Sequence, residues 1–116
     1  MPPCVFGNND GDRYLLTRIA AESNGLITLD PIIGEITTNG FKIGFTHEWP
    51  VAQGLAATGK YQMVCFGHSH QYELKNLSGT ILLNPGDIMG KDGDPGFCIL
   101  DTATQGIQQD IKRISI

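Results

Sequence analysis

The residues of this chain best equipped for chemistry fall in three short polar clusters: Gly7-Asn8-Asn9-Asp10, Thr46-His47-Glu48 and Gly67-His68-Ser69-His70. All three histidines of the sequence lie in the second and third clusters. Neutral imidazole binds borderline divalent cations well, and an asparagine carbonyl or a carboxylate adds the oxygen ligands that zinc, manganese or iron(II) accepts. Metal ligation is therefore the chemistry these residue types share. His68 and His70 are two residues apart, so on a regular strand they would share a face. In a loop they could reach two adjacent ions, and Gly67 lets the backbone turn sharply just before them. The His-x-His spacing alone is also what ordinary loop histidines show, so the weight rests on whether the three clusters are brought together.

The elements that must do this are legible as apolar runs. Pro3 to Phe6 reads as a buried strand that empties into the first cluster. Asp12 caps a helix whose apolar stripe is Tyr14, Leu15, Ile19 and Ala20, with Leu16 and Ala21 beside it, and Asn24-Gly25 stops it. Leu26 to Leu29 and Ile32 to Thr37 are strand candidates. Asn39-Gly40 then signals a hairpin whose second arm carries Phe41, Ile43 and Phe45 and ends at His47. Pro50 opens a second helix, with Val51, Leu55 and Ala52 turned inward, and Gly59 closes it. Tyr61 to Phe66 is a further apolar strand, stopping at the third cluster. From there the spacing predicts strands at 71–74, 80–83, 97–100 and 107–114, the last with mixed polarity on both faces, as at an exposed edge. The fold class is α/β and strand-rich, with the polar clusters at strand ends, where such sheets place their ligands.

Composition narrows the function classes. The chain has 116 residues, about one domain's worth, and reads as a single domain over residues 1–116. Its net charge of −4 and the absence of any basic run disfavour bulk nucleic-acid binding, while a small phosphorylated substrate is compatible. Cys4, Cys65 and Cys98 form no disulfide or zinc-thiolate spacing, and Cys4 and Cys65 sit in apolar runs as small buried hydrophobes. With no secretory leader pattern and no apolar run long enough to span a bilayer, the expectation is a cytoplasmic protein without a membrane partner.

Taken in order, Gly7-Asn8-Asn9-Asp10, His47, Gly67-His68-Ser69-His70 and Asn84-Pro85-Gly86 resemble the G-N-x-D, isolated histidine, G-H-x-H and N-P-G motifs of the calcineurin-like metallophosphoesterases. The resemblance is to their small phosphodiesterase branch, which also contains a scaffold subunit of an endosomal sorting coat. It implies a four-layer αββα sandwich, here partial, and a two-metal site holding manganese, zinc, iron or nickel. In that frame Asn8, His47 and His68 correspond to ligands of the second metal and His70 to a ligand of the first. Asp10 corresponds to a residue that positions its loop, and Asn8, Asp10 and His68 form the catalytic set. The implied reaction is hydrolysis of a phosphodiester or small phosphomonoester by metal-activated hydroxide.

The sequence also departs from the family. The D-x-H and G-D motifs that open the family's domain, and supply the first metal's main ligands and the bridging carboxylate, have no counterpart here. Asp12 is not a substitute, because a helix cap explains it. The expectation is a domain lacking the first two βα units, with catalysis by this chain alone impaired. The strand at Pro3 to Phe6 would then have a bare edge, covered by homo-oligomerisation or by a separate N-terminal fragment. A non-catalytic scaffold or interaction module is the alternative function, against which retention of His47, His68 and His70 argues. A mononuclear metal-binding protein using Asn8, His47 and His68 is a third reading. Trp49-Pro50 is expected to pack the indole at a helix entrance, with Glu48 and Trp49 as a possible substrate wall. Asp87 reads as a turn residue or a carboxylate at the site's edge.

Overall fold

The computed structural model describes residues 3–102 and 111–116. In chain order the elements are β1 (Pro3–Val5), α1 (Arg13–Glu22), β2 (Thr28–Asp30), β3 (Ile33–Thr38), β4 (Phe41–Thr46), α2 (Trp49–Ala57), β5 (Met63–Cys65), β6 (Tyr72–Leu77), β7 (Thr80–Pro85), β8 (Gly96–Leu100) and β9 (Ile111–Ser115). The main sheet has the order β3-β4-β5-β7-β6, with β4, β5 and β7 parallel at its centre and an antiparallel hairpin at each side. Both hairpins use two-residue links that need left-handed backbone: Asn39 (φ 52°) with Gly40 (φ 76°), and Ser78 (φ 52°) with Gly79 (φ 92°). Asn-Gly and Ser-Gly tolerate that conformation, and its twist matches the strands.

The central strands read as continuous apolar runs because both of their faces are covered. Met63 and Val64 on β5 are fully buried, as is Leu82 on β7. On one face α2 packs Ala52 and Ala56 against Val64, Phe66, Leu82 and Tyr61. Small alanines let the helix sit close, so they form the contact line. Val51 and Leu55, expected to point inward, flank it half-buried. The opposite face gathers Phe41, Ile43, Met63, Ile81 and Leu83, packed by Cys98 and Leu100 of β8 and Ile111 of β9.

The remaining strands form two small sheets, β1 parallel to β2 and β8 antiparallel to β9. Helix α1 starts where expected, with the Asp12 side chain accepting from Leu15 N–H at 3.0 Å. Its apolar stripe, however, is not a core stripe: no residue of α1 is buried, and Tyr14 is 76% exposed. The two-stranded β1-β2 sheet is too narrow to cover it. The same narrowness corrects the expectation for Cys4, which is exposed on β1. The final strand is observed from Ile111, and the earlier part of the predicted 107–114 run lies outside the described residues. Among the described residues no helix is long and apolar enough to cross a membrane.

Candidate metal centre

Strand register brings the polar clusters together. β4 and β5 are adjacent and parallel, with Phe45 opposite Cys65, so His47 and Gly67 emerge side by side two residues later. The Gly67 N–H donates to the His47 carbonyl at 3.0 Å. The first cluster arrives from the end of β1, where Phe6 is buried with the Arg13 guanidinium 5.0 Å above its ring. Asp10 closes this loop by accepting from Gly7 N–H through Oδ2. The His47 ring lies between the two loops, and a Cβ on Gly7 would stand 3.3 Å from it and one on Gly67 3.5 Å. Both glycines thus make room for an imidazole.

Asn8, His47 and His68 converge. Asn8 Oδ1 is 2.6 Å from His47 Nε2 and 3.3 Å from His68 Nδ1, and the two imidazole nitrogens are 3.2 Å apart. The rings meet edge to face with centroids 5.2 Å apart. Donor atoms bound about 2.0–2.2 Å from one ion stand roughly 3–3.5 Å from each other, so two of the three separations suit a shared cation as they are. The third is a hydrogen-bond length that ligation would open. Glu48 adds an oxygen 3.7 Å from His68 Nδ1, and the ligand atoms of His47, Glu48 and His68 all lie within 4.8 Å of one another. Two imidazoles, an amide oxygen and a carboxylate are a mixed nitrogen and oxygen set that borderline divalent metals accept.

The third cluster owes its shape to a residue in β7. His68 and His70 both have left-handed backbone, φ 74° and 63°. Non-glycine residues in that region each cost of order 1–3 kcal/mol and persist only where the surroundings impose them. Asn84 does so here. Fully buried, it donates from Nδ2 to the Gly67 carbonyl at 3.3 Å and to Ser69 Oγ at 3.0 Å, and its Oδ1 accepts from Gly86 N–H at 3.0 Å. The loop sends its histidines to different partners: His68 joins Asn8 and His47, while His70 Nδ1 meets Asp87 Oδ2 at 2.6 Å. With Nδ1 engaged, Nε2 is the atom His70 offers a ligand. Asp87 is both things expected of it, because Oδ1 also accepts from Gly90 and Lys91 N–H. Burial pushes its carboxyl up, but His70 and the two backbone donors outweigh this and hold it below the usual carboxylate range.

Three residues of this region were not among the predicted site residues. Glu48 reads from the sequence only as a possible substrate wall beside His47, and its 3.7 Å approach to His68 needs tertiary structure to be seen. Asn84 was legible only as part of a motif, although a lone amide ending the apolar run Thr80 to Leu83 marks a buried polar group that must have partners. The bond from Asp87 to His70 needs tertiary structure to be seen.

The fold and this cluster define the class: the chain belongs to the calcineurin-like phosphoesterase superfamily, whose domain matches residues 3–105. It is similar to a curated phosphodiesterase of Methanocaldococcus jannaschii, MJ0936, with 32% identity over 100 residues, covering 84% of this chain and 60% of the relative. It thus spans less than two thirds of that protein's length. Among solved structures it is similar to an archaeal phosphodiesterase, with TM-score 0.81 and 25% identity over 98% of this chain and 68% of the other. The fold is also shared with Vps29 from Entamoeba histolytica, solved in complex with zinc, at TM-score 0.58 and 19% identity over 90% of this chain and 71% of the other.

Proposed function

We propose that this chain carries the metal-binding half of a phosphoesterase site and hydrolyses phosphodiesters or small phosphomonoesters with a divalent metal. The observation that carries this reading is the convergence of Asn8 Oδ1, His47 Nε2 and His68 Nδ1 within 3.3 Å at the ends of separate strands. These three atoms, with Glu48, would hold one ion, and His70 Nε2 would serve a second. Manganese, zinc, iron and nickel all suit imidazole and oxygen ligands. Bound there, a divalent cation supplies charge against the phosphoryl oxygens and the acidity that makes water nucleophilic near neutral pH.

The chain's own residues set the conditions. Asn8, His47 and His68 are neutral ligands, so Glu48 alone offsets the ion's charge and the centre stays positive toward an anionic ester. Asp10 and Asn84 fix the two loops, and Asp87 orients His70. Among the described residues Glu48 is the one carboxylate that groups with the His47 and His68 imidazoles, which favours impaired turnover by this chain alone. The exposed apolar residues of α1 and the outer edge of β1 favour association with a second copy of the chain or with another chain that covers them. A well-behaved monomer in sedimentation at micromolar concentration contradicts that part.

The direct test is hydrolysis of bis-p-nitrophenyl phosphate by the full chain with added manganese, beside a His68→Ala variant. The expected result is a metal-dependent rate that the variant loses by on the order of 10² or more. Equal background rates for both proteins would rule out catalysis and leave a non-catalytic interaction role on the same fold.

A further inference from the structure

Beside the metal-binding cluster, and sharing Glu48 and His68 with it, lies an open cleft of about 310 Å³ whose other walls the function proposed above does not use. Its walls are Trp49, Phe66, Glu48, Ser69, Glu73 and Lys75. Trp49 packs on Phe66 with ring centroids 4.9 Å apart, so the indole is anchored, and it is half-buried. Lys75 Nζ stands 4.4 Å from the centre of the indole and 3.0 Å from a Glu73 oxygen. Glu48 forms the boundary with the cluster through its 3.7 Å approach to His68.

We infer that this cleft is a subsite for a neutral, hydroxyl-bearing alcohol, a sugar or glycerol unit, esterified to the phosphate. The assignment rests on the phosphoesterase reading for where the phosphate sits, and on the cleft's own chemistry for what lies beside it. Its volume is at the low end for small-molecule sites, which suits one ring or a short polyol. Glu73 is an acceptor only, and Lys75 engages one of its oxygens at 3.0 Å, so the acceptor capacity left on the carboxylate calls for a donor, and hydroxyl groups are donors where an aryl group has none. Lys75 supplies donors in return, and the Ser69 hydroxyl adds another. Glu73 balances the one lysine, so the cleft offers no net positive charge to a second anionic group. The apolar edge of the indole then covers the C–H face of a ring or chain. A purely aromatic leaving group would use the indole and leave the second Glu73 oxygen and the remaining Lys75 donors without partners on desolvation, at a cost that disfavours it.

Trp49 is the sole tryptophan of the chain, so its emission reports on this cleft directly. The full chain is titrated in the presence of zinc with glucose 1-phosphate, phenyl phosphate, glucose 1,6-bisphosphate and inorganic phosphate. The expected result is a saturable change in indole emission with glucose 1-phosphate, at least about fivefold tighter than with phenyl phosphate or the bisphosphate, and no change with inorganic phosphate. Glu73→Gln, a conservative change on an edge strand, should weaken glucose 1-phosphate by about fivefold to tenfold relative to phenyl phosphate, which carries the same phosphate but no hydroxyl. Phenyl phosphate or the bisphosphate binding as tightly as glucose 1-phosphate overturns the inference, as does no saturable change with any ester. These outcomes are separable from the fate of the phosphoesterase reading, which depends on release of nitrophenol and does not involve the indole.

Discussion

Asn84 makes a demanding test of how the cluster is built, because it is fully buried and touches no proposed ligand side chain. Replacing it with alanine removes two bonds of 3.0 Å and one of 3.3 Å, and leaves the Gly86 N–H and the Gly67 carbonyl without that partner. At about 1 kcal/mol net per good bond, plus a small term for lost packing, Asn84→Ala should cost roughly 2–4 kcal/mol. The loss is read from urea unfolding followed by circular dichroism. The second readout is zinc affinity by competition with a chromophoric chelator. Without the asparagine the left-handed backbone at His68 and His70 has lost its support, and affinity should fall by about tenfold to a hundredfold, as for other residues that orient metal ligands. Ser69→Ala, which removes only one of Asn84's partners, should cost about 1 kcal/mol or less. A fully destabilised Asn84→Ala with unchanged zinc affinity would refute the reasoning, since the loop would then hold its shape by other means.

Gly7→Ala places a methyl group 3.3 Å from the His47 ring, so zinc affinity should drop several-fold while unfolding stability changes by no more than about 1 kcal/mol; unchanged affinity would mean the ring has room to move. Asp87→Asn exchanges the carboxylate that holds His70 for a neutral amide. Because the Asp87 carboxyl is held below its ordinary value of 3.8, its contribution is present above that value and is lost as pH falls through the lowered one. The variant should therefore show a flatter acid limb in stability against pH, and an identical limb contradicts the assignment. Tyr61 is buried and donates its hydroxyl to Glu35, which together with burial pushes its phenol up to about 12. Between the ordinary value of 10 and about 12 the unfolded chain binds fewer protons than the folded one, so stability should decline across that range. Tyr61→Phe should abolish this decline, and should also remove an ionisation near pH 12 from the ultraviolet absorbance titration.

Where local rules and tertiary context agreed, the sequence was a good guide. Asn39-Gly40 makes its hairpin because few other pairs accept two successive left-handed residues, and Asp12 caps α1 because the first turn needs an acceptor. The strands ending at Val5, Thr46 and Cys65 were visible as apolar runs, so the meeting of Asn8, His47 and His68 could be expected once the strands were taken as neighbours. The burial of α1 could not be read. Its stripe of Tyr14, Leu15 and Ile19 has helical spacing, but periodicity reports which face is apolar and is silent on whether anything covers it. Cys4 was misread for the same reason, since an apolar strand on a two-stranded sheet need not be buried. His68 and His70 share a motif yet diverge in space, because two left-handed residues turn the loop in a way that spacing does not encode. The approaches of Glu48 to His68 and of Asp87 to His70 join distant segments, and a single sequence carries no local trace of those contacts.

The central claim is that Asn8, His47 and His68 hold one divalent cation between them. It is tested most directly by a zinc titration followed through the ring nitrogens of the three histidines in ¹⁵N-labelled protein. Ligation through His47 Nε2 and His68 Nδ1 predicts that these two resonances move together and saturate at one equivalent, and that Asn8→Ala weakens the transition. Resonances of His47 and His68 that stay in place, or that shift independently with different apparent affinities, would contradict it.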